Sequence, residues 1–278
     1  MKPMPSFDLV IILRYIYEFR KGKTMLENTA NVLFWDAENY SANSKLQYNV
    51  SFSFFNHYPF RGNETVLDIG CGDGRIANFI ADQLPLGHVT AIDNSPTMIE
   101  LAQQKVKKTN VKFSLMDAQR ISLPHKFDII ISTFCFHWIL DKLSALRIIR
   151  NHLKADGKLL FIIPLQNKTT AQIRNDLIRG EKWRHYYTNY VDPSARVQDS
   201  NYAQYAEQAG FNSVVLKHEK ALTEFDTAKD LLNFLKNLTP CLEQLPTDDL
   251  KNEFMQDLVN AYLEFCPPSP DNKSIFQY

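Results

Sequence analysis

Two carboxylates and a glycine turn carry the chemistry this sequence offers. The run Thr65-Val66-Leu67-Asp68-Ile69-Gly70-Cys71-Gly72-Asp73-Gly74-Arg75 sets an acid just before three closely spaced glycines. Glycine has no Cβ, so the backbone can turn tightly there and lie against a ligand. The helical pattern Ile76, Ala77, Phe79, Ile80, Leu84 follows at once, with free N–H groups at its first turn. The second carboxylate, Asp93, ends the apolar run His88-Val89-Thr90-Ala91-Ile92. An acid at that place in a doubly wound sheet accepts hydrogen bonds from ribose hydroxyls. The dinucleotide pattern G-x-G-x-x-G is not met, because Arg75 stands where the third glycine would fall. Asp68 would repel a pyrophosphate and attract a ligand bearing an ammonium and a sulfonium.

On those residues the run resembles motif I of the class I S-adenosylmethionine (SAM) methyltransferases. The resemblance implies SAM as cofactor and S-adenosylhomocysteine as product, bound at the carboxyl ends of the strands. Gly70, Cys71 and Gly72 would bring backbone against the amino-acid portion, and Asp68 would face its ammonium. Asp93 would take the ribose hydroxyls, with Asn94 and Met98 beside the adenine. Asp117 would accept from the adenine amino group and Ala118 N–H would offer the reverse bond. Phe134 would close the pocket, and Tyr40 joins these as a cofactor contact. An NAD-dependent oxidoreductase is the competing reading of the glycine turn.

Methyl transfer is an in-line displacement, so the acceptor must be aligned and water kept out. A carboxylate is already ionised at neutral pH, whereas a phenol or amine usually needs a base. The segment Ser132-Thr133-Phe134-Cys135-Phe136-His137-Trp138 lacks the Asn/Asp-Pro-Pro-aromatic signature of amino-methylating DNA and RNA enzymes. It also lacks a carboxylate cluster for magnesium. Together with Tyr40-Ser41-Ala42-Asn43-Ser44-Lys45-Leu46-Gln47 and Asp93-Asn94-Ser95-Pro96-Thr97-Met98-Ile99, its Phe136-His137-Trp138 is similar to small-molecule carboxyl O-methyltransferases of the juvenile hormone acid and trans-aconitate type. That likeness implies that Gln47 and Trp138 hold the acceptor carboxylate. Both are neutral donors, so the attacking oxygen stays nucleophilic. Two alternatives stay open: a phenolic or amine acceptor with His137 as base, and a non-catalytic SAM-binding protein.

The elements that must position these residues read as follows. Strands at 66–69, 88–93, 111–115, 127–131 and 158–163 alternate with helices, which predicts an α/β, doubly wound, mainly parallel, seven-stranded Rossmann-like sheet with helices on both faces. Residues 1–34 read as an N-terminal extension or lid helix. The core spans 35–165, a helical cap insertion 166–210, and C-terminal strands and helices 211–278. Ser274 to Tyr278 reads as an edge strand.

The chain has 278 residues, 45% apolar and 22% charged, with a formal net charge of zero. That composition suits a soluble globular protein. The missing basic excess argues against a nucleic-acid partner. Leu9 to Leu13 is too short to span a bilayer, which needs about 20 residues. Cys71, Cys135, Cys241 and Cys266 form no C-x-x-C pair, so no metal site is expected and the thiols read as reduced, in the cytoplasm. The expected partner is a small-molecule acceptor.

Overall fold

The structure is a computed structural model that describes residues 8–14, 37–164, 168–190, 199–218, 222–225, 228–236, 238–265 and 274–277. Expectations for residues 15–36 and for Cys266 fall outside the described residues. In chain order the elements are β1 (Asp8–Arg14), α1 (Ala37–Asn43), α2 (Lys45–Asn56), β2 (Thr65–Ile69), α3 (Arg75–Asp82), β3 (His88–Asp93), α4 (Pro96–Lys105), β4 (Val111–Leu115), β5 (Phe127–Thr133), α5 (Lys142–Asn151) and β6 (Leu153–Pro164). There follow α6 (Lys168–Arg179), α7 (Asp199–Gln208), β7 (Ser213–His218), β8 (Leu222–Phe225), α8 (Ala228–Lys236), α9 (Asp248–Phe265) and β9 (Ser274–Gln277).

The chain forms two compact units. The first is an α/β Rossmann-like unit built on a parallel sheet with the core order β4-β3-β2-β5-β6. Val66, Leu67, Ile69, Val89, Ala91 and Ile92 are fully buried, as are Ile130 and Ile131. Strands buried on both faces by crossover helices read as continuous apolar runs, and these do. β4 lies at the edge, and its pattern is accordingly half-exposed. The order reverses between β2 and β5, which opens a crevice at their carboxyl ends.

Beyond β6 the sheet continues with β1 and then β7. β1 runs parallel to both, with Leu9 opposite Leu159 on one side and Val214 on the other. Residues 8–14 are therefore a strand and not part of a lid helix. Val10, Ile11 and Ile12 are β-branched, a composition that favours strand over helix. The tail forms a strand as expected. β9 pairs antiparallel with β8 in a separate two-stranded ribbon and does not edge the main sheet.

The expected helical cap, 166–210, is divided between the two units. α7 and β7 belong with the sheet, whereas α6 belongs with β8, α8, α9 and β9. In that second unit Trp183 is buried against Phe254 at 5.1 Å, edge to face. Its indole N–H donates to Asp257 at 2.9 Å, and Lys182 pairs with the same carboxylate at 2.6 Å. The aromatic run from Trp183 to Tyr187 thus supplies packing, as such stripes commonly do.

Candidate active site

The carboxyl ends of β2, β3 and β5 build the site. At the end of β2, the N–H groups of Gly70 and Cys71 both donate to the carbonyl of Ile92, at 2.8 and 3.0 Å. That fork ties the glycine turn to β3. Gly70 has φ +73°, and a Cβ there would stand 2.1 Å from Cys135 Sγ, so no side chain fits. Gly72 has φ +54° and is different: a Cβ would meet only Cε1 of Tyr40, at 4.0 Å. The backbone at Gly72 therefore faces open space that a ligand can fill.

Asp93 shapes the turn as well as facing it. Its Oδ2 accepts from Gly72 N–H and its Oδ1 from Ser95 N–H, each at 2.9 Å. Each carboxylate oxygen keeps a second lone pair for a ligand hydroxyl. Burial raises the Asp93 pKa, and these backbone donors oppose the rise. Ser95 then caps α4 by accepting from Met98 N–H, with Pro96 at the first helical position. Met98 is buried and Asn94 is exposed.

Asp68 is the anomaly. It is 1% exposed, and neither carboxylate oxygen has a hydrogen-bond partner among the described residues. Burial, with the nearby Asp93 charge adding to it, pushes its pKa up to about 7. Native buried carboxylates are almost always paired. An orphaned one beside an open glycine turn fits a cationic ligand group and not a phosphate.

Asp117, at the end of β4, caps a 3₁₀ turn through Ala118–Arg120, its Oδ1 accepting from Gln119 N–H at 2.8 Å. Phe134, just past β5, is buried at φ +51°, a left-handed conformation that is uncommon for a non-glycine residue. Such strain clusters at ligand sites. Next to it, the Cys135 thiol shows how closely these groups converge. Its pKa is pushed up to about 12 by burial first, with the charges of Asp93, Asp68 and Asp117 adding. Burial, and then the Asp73 charge, raises the Tyr40 pKa, with Cys135 and Asp93 adding and Arg75 opposing. The structure thus brings Tyr40, Asp68, Gly70, Cys71, Gly72, Asp93 and Asp117 to one crevice.

The acceptor candidates come from two other elements. Gln47, on α2, is 6% exposed, and its Oε1 has no partner among the described residues. An amide can turn end for end, so the unmet position can offer an oxygen or an N–H. Trp138 and His137 sit on a 3₁₀ turn, Phe136–Trp138, with their rings 4.9 Å apart. Phe136 anchors that turn, stacked on Phe161 at 4.4 Å and lying 6.4 Å from Tyr202 of α7. His137 Nδ1 is buried without a partner among the described residues, and burial, aided by Lys142, holds its pKa down at about 3.

Sequence reasoning overlooked three features. Cys135 fills the space that Gly70 leaves. Asp73 gathers Arg75 at 2.8 Å, Lys105 at 3.4 Å and Ser41 at 2.5 Å, and so pins α1 to the glycine turn. Lys142 is buried in the first turn of α5. The spacing of Asp73 and Arg75 in the motif was the one available signal for the second. Among the described residues no His, Cys, Asp or Glu group could hold a metal ion. No described helix is long and apolar enough to cross a membrane.

Comparison with known proteins bears on the family and the fold. A family pattern described as a methyltransferase domain matches residues 66–157. A protein named methyltransferase 235L from Invertebrate iridescent virus 6 is 32% identical over 231 residues, 83% of this chain and 86% of its own. A malonyl-[acyl-carrier protein] O-methyltransferase of Bacillus anthracis is 31% identical over 141 residues, and the chain spans about half its length, 52%. Juvenile hormone acid O-methyltransferase of Drosophila melanogaster is 24% identical over 214 residues, 73% of this chain and 72% of that one. A crystal structure from Bacillus halodurans C-125, titled as a methyltransferase, shares the fold with TM-score 0.55 at 18% identity, covering 82% of this chain and 94% of that one. The viral relative aligns along nearly its whole length at that identity, and the chain belongs to the S-adenosylmethionine-dependent methyltransferases.

Proposed function

We propose that this methyltransferase esterifies a carboxylic acid, free or carried on a larger molecule, and that Gln47 and Trp138 hold the acceptor. One observation carries the reading: the imidazole of the turn after β5 is buried, with Nδ1 unpartnered among the described residues. His137, the only imidazole there, is held near a pKa of about 3, too weak to deprotonate a phenol or an ammonium near neutrality. A carboxylate needs no deprotonation, since its ordinary pKa is about 4. The relatives named for malonyl-[acyl-carrier protein] and juvenile hormone acid methylate acids of unlike size, so a carboxylate is the shared chemistry.

The cofactor supplies an electrophilic methyl on a sulfonium. In this reading Asp68 binds its ammonium, the backbone of Gly70, Cys71 and Gly72 lies along its amino-acid end, and Asp93 accepts from the ribose. Asp117, Ala118, Asn94 and Met98 frame the adenine, with Tyr40 and Phe134 closing the pocket. Gln47 and the Trp138 indole N–H orient the acceptor oxygen without adding a positive charge at the point of contact. The sheet works in its seven-stranded form, with β1 as a structural strand.

The test is methyl transfer from SAM to a panel of carboxylic acids and matched phenols and amines, read as S-adenosylhomocysteine. Acids should be esterified with kcat flat between about pH 6 and 9. Gln47→Ala and Trp138→Ala should each lower kcat/KM by about 100-fold. His137→Ala should lower kcat by less than tenfold, where loss of a general base typically costs 10²–10⁴. Turnover of phenols or amines alone, lost in His137→Ala, would overturn the reading.

A further inference from the structure

Lys142 is placed where a lysine has little structural reason to be. It is 3% exposed, at the first position of α5. Lysines are almost never buried without a partner. The positive end of a helix dipole also disfavours a cation at that position. Among the described residues no carboxylate pairs with its Nζ. It donates instead to two carbonyls of the turn before it, Ile139 O at 2.5 Å and His137 O at 3.4 Å. Its neighbour Asp141 is exposed and spends Oδ1 on the N–H of Ser144 at 3.0 Å. The ammonium is thus held in place with no described carboxylate against it, and burial lowers its pKa to about 8, so the group is cationic below that pH. One residue from Trp138, the buried Nδ1 of His137 is also without a partner among the described residues. Both groups bear on the turn that the proposed function assigns to the acceptor, Nζ through its carbonyls and Nδ1 from its own imidazole.

We propose that Lys142 is a specificity-determining residue that selects anionic acceptors, its ammonium being set back behind the His137–Trp138 turn and acting through the field it creates there. The inference rests on the carboxylate reading above and deepens it. A charge-sign argument then fixes its kinetic signature. A carboxylate oxygen lone pair forms the new O–C bond, the S–C bond breaks, and that pair stays on sulfur. An anion and a cation enter; a neutral ester and a neutral thioether leave. Charge disappears along the reaction, so a fixed cation favours the bound anion over the transition state. Removing Lys142 therefore weakens acceptor binding and does not lower the chemical rate.

The variants are Lys142→Met, which keeps the volume and drops the charge, and Lys142→Arg, which keeps the charge. Alkanoates of graded length serve as acceptors, and their amides as uncharged binding probes on the S-adenosylhomocysteine complex. The expected result is a KM for acids raised about tenfold or more in Lys142→Met, with kcat equal or higher, and near-normal kinetics in Lys142→Arg. Amide binding should not change. The melting temperature of Lys142→Met should hold or rise, because replacing a buried charge with an apolar group of similar size is often stabilising. Equal losses for acids and amides, a fall in kcat, or a lower melting temperature would make Lys142 a packing residue and overturn the inference while leaving ester formation by the wild type intact. If no acid is methylated by the wild type, the carboxylate reading falls, and this inference falls with it.

Discussion

Single atoms decide what each glycine and acid in the crevice can tolerate. Gly70 and Gly72 share a left-handed φ but not an environment. An alanine at 70 would drive its Cβ to 2.4 Å from Cys135 Cβ, a clash on top of the conformational cost. Gly70→Ala should therefore lower folding stability by about 2–4 kcal/mol, read by denaturant melts. Gly72→Ala meets open space and should cost only about 1 kcal/mol of stability. It should still weaken SAM binding at least tenfold, because the new methyl occupies the cradle itself. If calorimetry found SAM bound normally by Gly72→Ala, the backbone at Gly72 would not be part of the cofactor site. The double variant Gly70→Ala/Cys135→Gly should recover most of the clash but not the φ penalty, so it separates the two contributions.

Elements set which of these groups meet, and here the sequence was unevenly legible. β2, β3 and the glycine turn were readable because an apolar run, a turn and a helix sat next to each other with nothing between. The same holds for Ser95-Pro96, whose cap geometry is local. β1 was not readable. Its partners are Lys158–Pro164 and Ser213–His218, about 150 and 200 residues away, and a seven-residue run with a charge at each end carries no sign of such distant pairing. Lys142 was equally silent, since nothing in a helix-start pattern shows that a lysine will be buried. The Asp73 network is intermediate. Asp73 and Arg75 were visible in the motif, but their partners on α1 and α4 are brought in by the fold. Because that network fastens α1 to the glycine turn, Asp73→Ala should act at a distance. It leaves Arg75 and Lys105 without their shared carboxylate and frees the segment that carries Tyr40. We expect a loss of about 1–3 kcal/mol in stability and a several-fold rise in the Kd for SAM, with Ser41→Ala giving a smaller change in the same direction. An unchanged Kd in Asp73→Ala would show that α1 needs no such fastening.

The whole molecule's response to pH follows from the sign of its buried charges. Asp68 has a folded pKa of about 7 against an ordinary 3.8. Between those values the folded chain keeps a proton that the unfolded chain has lost, so stability without cofactor falls as pH rises through that window, by on the order of 4 kcal/mol for this group alone. Asp73 and Asp128 run the other way. Hydrogen bonds and neighbouring cations depress their pKa values, so their contribution is present above the ordinary carboxylate range and is lost as pH falls through their folded values. The unliganded protein should then be most stable in mild acid, near pH 5. Bound SAM changes the balance, because its positive charge favours the Asp68 carboxylate. Binding below about pH 7 must expel a proton. Affinity should rise by up to tenfold per pH unit until about pH 7, then level off. It should weaken again once the α-amino group of SAM, with an ordinary pKa near 8, loses its own proton. Calorimetry in buffers of different ionisation enthalpy would count that proton directly. Asp68→Asn should abolish the proton release, weaken SAM binding and make the empty protein more stable above pH 6. If the proton release survives in Asp68→Asn, the titrating group is another one, with Asp93 the first candidate because its pKa is also raised by burial. The ammonium of SAM would then not be bound by the acid at the end of β2.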